Sequence, residues 1–145
     1  MNSSATVSAR LRLSLLVPGE EAIVPLTASL FYSRDDPYAV RLDLHVGLDE
    51  PVEWVFAREL LSAGLAGEHG SGDVRVWPSV RSRGGLTGMA LSIELSSPHG
   101  SATFEAPLRD VADFVRRAHE LVPAGQESGY VDVDAELAAL LRQAS

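Results

Sequence analysis

The stretch VEWVFARELLSAGL, Val52 to Leu65, decides the fold. Its first half alternates, with Val52, Trp54 and Phe56 on one face of an extended chain and Glu53, Val55 and Ala57 on the other. Its second half, RELLSAGL, has apolar spacing that suits a helix of about two turns. Strand passes into helix with no turn residue between them, and Glu59 stands in the first helical turn, where the helix dipole favours an acid. Glu53 has no acid–base partner nearby in the sequence. The stretch reads as a joint in a scaffold that plants a Trp and a Phe together.

On its N-terminal side the same period-two pattern recurs. Val7, Ala9, Leu11, Leu13, Leu15 and Val17 are apolar, whereas Thr6, Ser8, Arg10, Arg12 and Ser14 between them are polar, which predicts a half-buried strand. Residues 23–32 read as a second strand in which Pro25, lacking an N–H, marks an edge or a bulge. Tyr38, Val40, Leu42, Leu44, Val46 and Leu48 form the apolar face of a third. On the C-terminal side, AGEHGSG is expected to be a loop. DVRVWPSV is a strand that stops near Pro78, RSRGG a turn, and LTGMALSIELSS a long strand with Leu86, Gly88 and Ala90 on its apolar face. ATFEA is a short strand. Pro107 then opens a helix with Leu108, Val111, Ala112, Val115, Ala118 and Leu121 at helical spacing, and a last helix is expected at about 132–143 with Leu137, Leu140 and Leu141 as its stripe. Both halves run a meander and then an aromatic strand into a helix (VFARELL; FEAPLRDV), a weak internal repeat. The expectation is a single α+β domain over 1–145, with antiparallel sheet of about seven strands and two to three helices.

Composition narrows the function. The chain carries 12 basic residues, all of them arginine, against 20 acidic ones, for a net charge of −8. An acidic chain repels polyphosphate, so nucleic-acid binding and attachment to a membrane through a basic patch are both disfavoured. GC-rich coding accounts for the missing lysine. Cysteine is absent, which excludes a disulfide framework and a thiolate metal site. The N-terminus MNSSATVSARLRL alternates and does not read as a signal peptide, so an intracellular soluble protein is expected.

No catalytic motif emerges. A phosphate-binding P-loop requires lysine, and the nucleophile elbow G-x-S-x-G is missing. His45, His69, His99 and His119 are dispersed without metal-ligand spacing. His45 and Asp43 lie two apart on a polar strand face and suit a hydrogen-bonded surface pair. RSRGG suits a glycine turn between solvated arginines. Catalytic, metal and cofactor sites are therefore expected to be absent. Trp54 and Trp77 suit anchors for core or interface, with base stacking the alternative use. Apolar residues on both faces of strands (Ile23, Leu26, Phe31; Val52, Val55, Phe56) imply a second cover and hence self-association.

DPYAVRL (36–42), VEWVFARELLSAGL (52–65), GDVRVWP (72–78), LSSPHGSATFEAP (95–107) and DVDAEL (132–137), in this order, resemble the SsgA-like sporulation and cell-division proteins of actinomycetes. The resemblance covers nearly the whole chain and is strongest to the SsgB-like branch. It departs at 67–71 and 79–91, and at His99 and Thr103. The resemblance implies a whirly-like, barrel-like fold and a homotrimer. It also implies a non-enzymatic regulator that helps localise the tubulin-like GTPase FtsZ at septation sites, in partnership with an SsgA-type paralogue. Its place would be cytoplasmic, at the division septum, reaching the membrane only through the divisome. The residues offered for partner contact are Trp54, Arg58, Trp77, Glu136 and Arg142. The alternative reading is a single-stranded nucleic-acid-binding module of the same fold.

Overall fold

The computed structural model describes residues 6–19, 23–47, 50–81 and 88–131, together with Leu137 and residues 140–142. Strands β1 (Thr6–Leu16), β2 (Ile23–Ser33), β3 (Asp36–His45) and β4 (Val52–Ala57) form an antiparallel meander that leads into α1 (Arg58–Gly64). Strands β5 (His69–Ser71), β6 (Val74–Arg81), β7 (Gly88–Ser97) and β8 (Gly100–Pro107) form a second meander that leads into α2 (Leu108–Leu121). A 3-10 turn follows at Glu127–Tyr130. The eight strands make one nearly closed, barrel-like sheet in the order β4-β3-β2-β1-β8-β7-β6-β5. That order is the sequence 4-3-2-1 written twice, so the repeat read from the two strand–helix joints extends to the whole architecture.

One core serves both halves. Leu11 and Leu13 of β1, Leu30 and Tyr32 of β2 and Leu42 and Leu44 of β3 pack with Val74 and Val76 of β6, Ile93 and Leu95 of β7 and Phe104 of β8. Alternation explains this, since β1 buries Leu11 and Leu13 while exposing Arg10 and Arg12 between them. α2 closes one end by burying Val111, Phe114, Val115 and Ala118, so the apolar stripe predicted for this helix also includes Phe114. α1 lies against β3, β5, β6 and α2. Neither helix has a side-chain N-cap. Ala57 (φ −68°, ψ 138°) and Pro107 (φ −60°, ψ 123°) stay extended up to the first helical residue, so each joint is a direct change of backbone conformation.

The structure departs from the sequence expectations in three places. The glycine-rich loop contains a short strand, β5, which raises the strand number from about seven to eight. His69–Ser71 has too few residues to display an alternation. β6 does not stop near Pro78 but runs to Arg81, because β5 pairs only with Val74–Val76 and beyond them Pro78 has a free edge where its missing N–H breaks no ladder. Pro25 is tolerated similarly, since β3 begins to pair with β2 only at Thr27. In β7 the core face carries Leu91, Ile93 and Leu95, the opposite parity to Gly88 and Ala90. Leu86, the RSRGG segment after Arg81 and most of the last helix lie outside the described residues; Leu137, Leu140, Leu141 and Arg142 are helical and exposed.

Candidate interaction surface

The joint at Ala57–Arg58 turns a charged side chain inward. Arg58 is 2% exposed. Its Nη1 donates to the Tyr32 hydroxyl (3.0 Å) and to the carbonyls of Ala118 (3.1 Å) and Val122 (2.7 Å), while Nη2 donates to Glu127 Oε2 (2.9 Å). The two carbonyls belong to the end of α2, which carries the negative end of the helix dipole; that of Ala118 also accepts from the Val122 N–H. Arginine suits this position because one planar guanidinium presents five donors in fixed directions. Tyr32 in turn donates to the Pro37 carbonyl at 3.0 Å, and its ring centroid lies 4.9 Å from Arg58 Cζ. β2, α1, the end of α2 and the 3-10 turn are thereby joined through one side chain.

The titrations around this clasp follow from burial and charge. Glu127 is held below the ordinary carboxylate value by hydrogen bonds from its own backbone amide and from Arg58. Burial raises Tyr32, with the Arg58 charge opposing it. Burial and the Arg58 charge both lower His119, whose Nε2 is buried without a hydrogen-bond partner among the described residues. On the outer face of α2, Asp113 is lowered by its hydrogen bonds from Arg116 and Arg117. Both terminal nitrogens of Arg58 are engaged by partners that hold the fold, and among the described residues no nucleophile paired with a base stands beside it. Among the described residues no group of three or more His, Cys, Asp or Glu could hold a metal ion.

Arg58 thus belongs inside the molecule, not with the surface residues among which the sequence placed it. Trp54 is half-buried on the core-facing side of β4, opposite Leu42. It walls a groove of about 360 Å³ between the β3–β4 end and the β7–β8 hairpin, with Val46, Val52, His99 and Phe104 among the lining residues. Trp77 points to the other face of the sheet from the buried Val76, with the Arg75 guanidinium 5.7 Å from its ring. The two tryptophans therefore do not form one stacking platform. Arg142 is exposed on the last helical residues, and Glu136 lies outside the described residues. Asp43 turns its carboxylate to Arg41 (3.2 Å), so the ion pair of that strand is not with His45. A second groove, of about 520 Å³, lies over β1–β4 and includes Phe31, Arg41 and Val55, with the Arg41 guanidinium 4.3 Å from the Phe31 ring.

No signal in the sequence marks Tyr32 and Glu127 as partners of Arg58. They lie 26 and 69 residues away, and only the fold brings the three together.

Residues 26–127 match the model of the family described as Streptomyces sporulation and cell division protein, SsgA. The sporulation-specific cell division protein SsgB of Thermobifida fusca is 52% identical over 139 residues, covering 95% of this chain and 97% of that protein. SsgB of Streptomyces coelicolor is 47% identical over 140 residues, covering 97% and 98%. The crystal structure of the SsgA-like sporulation-specific cell division protein from Thermobifida fusca superposes with a TM-score of 0.80 at 52% identity, covering 96% of this chain and 98% of that one. A solved SsgB structure, described with mutations that correlate to longitudinal cell division during sporulation of Streptomyces coelicolor, superposes with a TM-score of 0.79 at 46% identity, covering 89% and 99%.

Proposed function

The chain belongs to the SsgA family of sporulation and cell division proteins, and from that premise we propose that it is a non-enzymatic regulator of sporulation-specific septation that helps localise or promote assembly of the FtsZ ring. A role in cell division follows from membership; the observation that carries the finer reading is identity to curated SsgB proteins over nearly the full length. The chemistry of the chain supports a binding role. Its buried arginine is engaged in holding the fold, and its grooves are lined mostly by apolar and hydroxyl side chains, with Asp36 and Arg41 in the one and His99 in the other.

We further propose that the protein self-associates, as a trimer, and partners an SsgA-type paralogue at the septum. No helix among the described residues is long and apolar enough to cross a membrane, and contact with the membrane would run through the divisome. Three copies of one weak contact surface bind a polymer far more strongly than one copy does, because later contacts form at high effective concentration. Cosedimentation with FtsZ from the same organism tests this. The protein is expected in the pellet with GTP-polymerised FtsZ and to be depleted from it without GTP. If it stays in the supernatant in both cases, with the paralogue present or absent, the proposal fails.

A further inference from the structure

The strand order contains one seam that the chain seals and an equivalent seam that it leaves open. Where the two 4-3-2-1 units meet, β8 pairs with β1 through Ser14↔Glu105, Leu15↔Phe104 and Leu16↔Thr103. The same junction in the repeat would place β5 beside β4. Instead β4 pairs only with β3, and β5 pairs only with β6. The outer edge of β4 makes no backbone hydrogen bond among the described residues. An edge of this kind, with one charge and no proline, is a template for another strand.

Side chains at the two seams show the difference. Phe104 stands three residues before the helix-entry residue Pro107, and Trp54 three before its counterpart Ala57. At the sealed seam Phe104 faces Leu15 and is buried; at the open seam Trp54 stays half-exposed, with Val52 40% and Val55 58% exposed beside it.

The edge of β5 complements that of β4. β5 is three residues long, the number paired at the sealed seam. Arg75, paired with Gly70, runs across the glycine so closely that a Cβ there would lie 3.0 Å from Arg75 Cγ. Its guanidinium lies on the solvent-facing side of β5 and β6, paired with Glu68 and, at 3.5 Å, with Glu94 of β7. Glu53 is the only charged side chain of β4, points to the equivalent side of that strand and lies 3.9 Å from Arg41 in a loose, solvent-exposed ion pair. Parity together with the Glu53–Arg75 charge pairing sets the register: Gly70 opposite Glu53 brings His69 opposite Trp54 and Ser71 opposite Val52, with Glu53 facing Arg75 across the glycine.

We propose that the free edge of β4 in one copy of this chain pairs, antiparallel, with the free edge of β5 in a second copy, repeating between chains the seam that β1 and β8 make within one. Such a contact joins two different surfaces and closes into a ring when the rotation per copy permits. The inference rests on the self-association proposed above and assigns its surface.

Because the chain has no cysteine, single thiols report the contact cleanly. A tagged Val52→Cys chain is mixed with an untagged Ser71→Cys chain and mildly oxidised. Directly opposed residues in an antiparallel pair have the Cα spacing that a disulfide accepts. A tagged–untagged disulfide, absent from either variant alone, is the expected result. A Val52→Cys chain that cross-links to itself overturns the proposal in favour of a two-fold contact. If the unmodified chain is oligomeric by light scattering and the mixture does not cross-link, this surface is wrong and self-association stands. If the unmodified chain is a monomer at micromolar concentration, both fall. Independently, Glu53→Arg is expected to weaken self-association by about tenfold or more, and adding Arg75→Glu in the same chain to restore it. An unchanged association constant for Glu53→Arg also overturns the register.

Discussion

Arg58 and Glu127 stand 69 residues apart in sequence and 2.9 Å apart in space, and their ion pair fastens the strand–helix joint of the first half to the segment that leaves α2 of the second. The pair is covered, with the side chains 2% and 16% exposed, so it is screened little by salt. Removing Arg58 leaves the Glu127 charge and the Val122 carbonyl without this partner, and removing Glu127 leaves the buried Arg58 charge without its counter-ion.

Arg58→Leu is therefore expected to destabilise the fold by about 3–5 kcal/mol, read as a lower urea midpoint at unchanged slope. Arg58→Lys keeps the charge but replaces a planar fork by a single ammonium, which does not span Tyr32, the two carbonyls and Glu127 together. It should fall between the two. A stability for Arg58→Leu within experimental error of the unmodified chain would contradict the clasp.

Stability is expected to decline in two stages as the medium is acidified. His119 takes up its proton less readily in the folded state, where burial and Arg58 lower it from 6.5 against the opposing charges of Glu59 and Glu127. Its contribution is complete above 6.5 and is lost as pH falls from there towards the lower folded value. Glu127 is also lowered, from 4.5, so its contribution is present above 4.5 and is lost as pH falls through its folded value. Denaturant titrations at a series of pH values should show both stages, with His119→Gln flattening the upper and Glu127→Gln the lower. A flat profile between pH 6.5 and 4.5 in the unmodified chain would show that His119 is not desolvated.

Gly64 ends α1 where the helix backbone touches β6. A Cβ at this position would collide with Cγ2 of Val76 and stand 2.9 Å from its Cβ, and neither atom is the far end of a flexible chain. Gly64→Ala should cost roughly 1–3 kcal/mol in spite of alanine's better helix propensity. A stabilised Gly64→Ala would mean that α1 and β6 are further apart.

Oligonucleotides should bind no tighter than the nonspecific range of about 10⁻⁴ to 10⁻⁶ M at physiological salt. Net charge is −8, and Trp54 and Trp77 point to different faces of the sheet. Fluorescence titration with a single-stranded oligonucleotide checks this; tight, salt-sensitive quenching would restore the nucleic-acid reading.

The fold was legible wherever one side of an element faces the core and the other faces water. β1, β3 and α2 all declare their buried faces through period two or period 3.6, and the joint at Ala57–Arg58 declares itself through an alternation that stops at a helical pattern. β7 was harder because Ala90, Leu91, Ser92 and Ile93 are all buried, so polarity does not separate its faces. β5 left no trace, since His69, Gly70 and Ser71 are exposed and their pairing depends on β6 alone. The inward turn of Arg58 was not legible either. An arginine at a helix start is ordinarily solvated, and what draws this one inside is the end of a helix that begins 50 residues later.

The seam between β1 and β8 also orders events in time. Each half is a meander of neighbouring strands and can pair as it emerges from the ribosome, but Leu16 meets Thr103 only after both meanders are made. At about 5–20 residues per second, the chain between those two residues takes roughly 4–20 s to synthesise. For that interval the nascent first half holds β1 as an open edge, exposed to neighbouring nascent chains. Arg10 and Arg12, alternating along that strand and pointing outward, place two like charges where a wrong strand would have to settle.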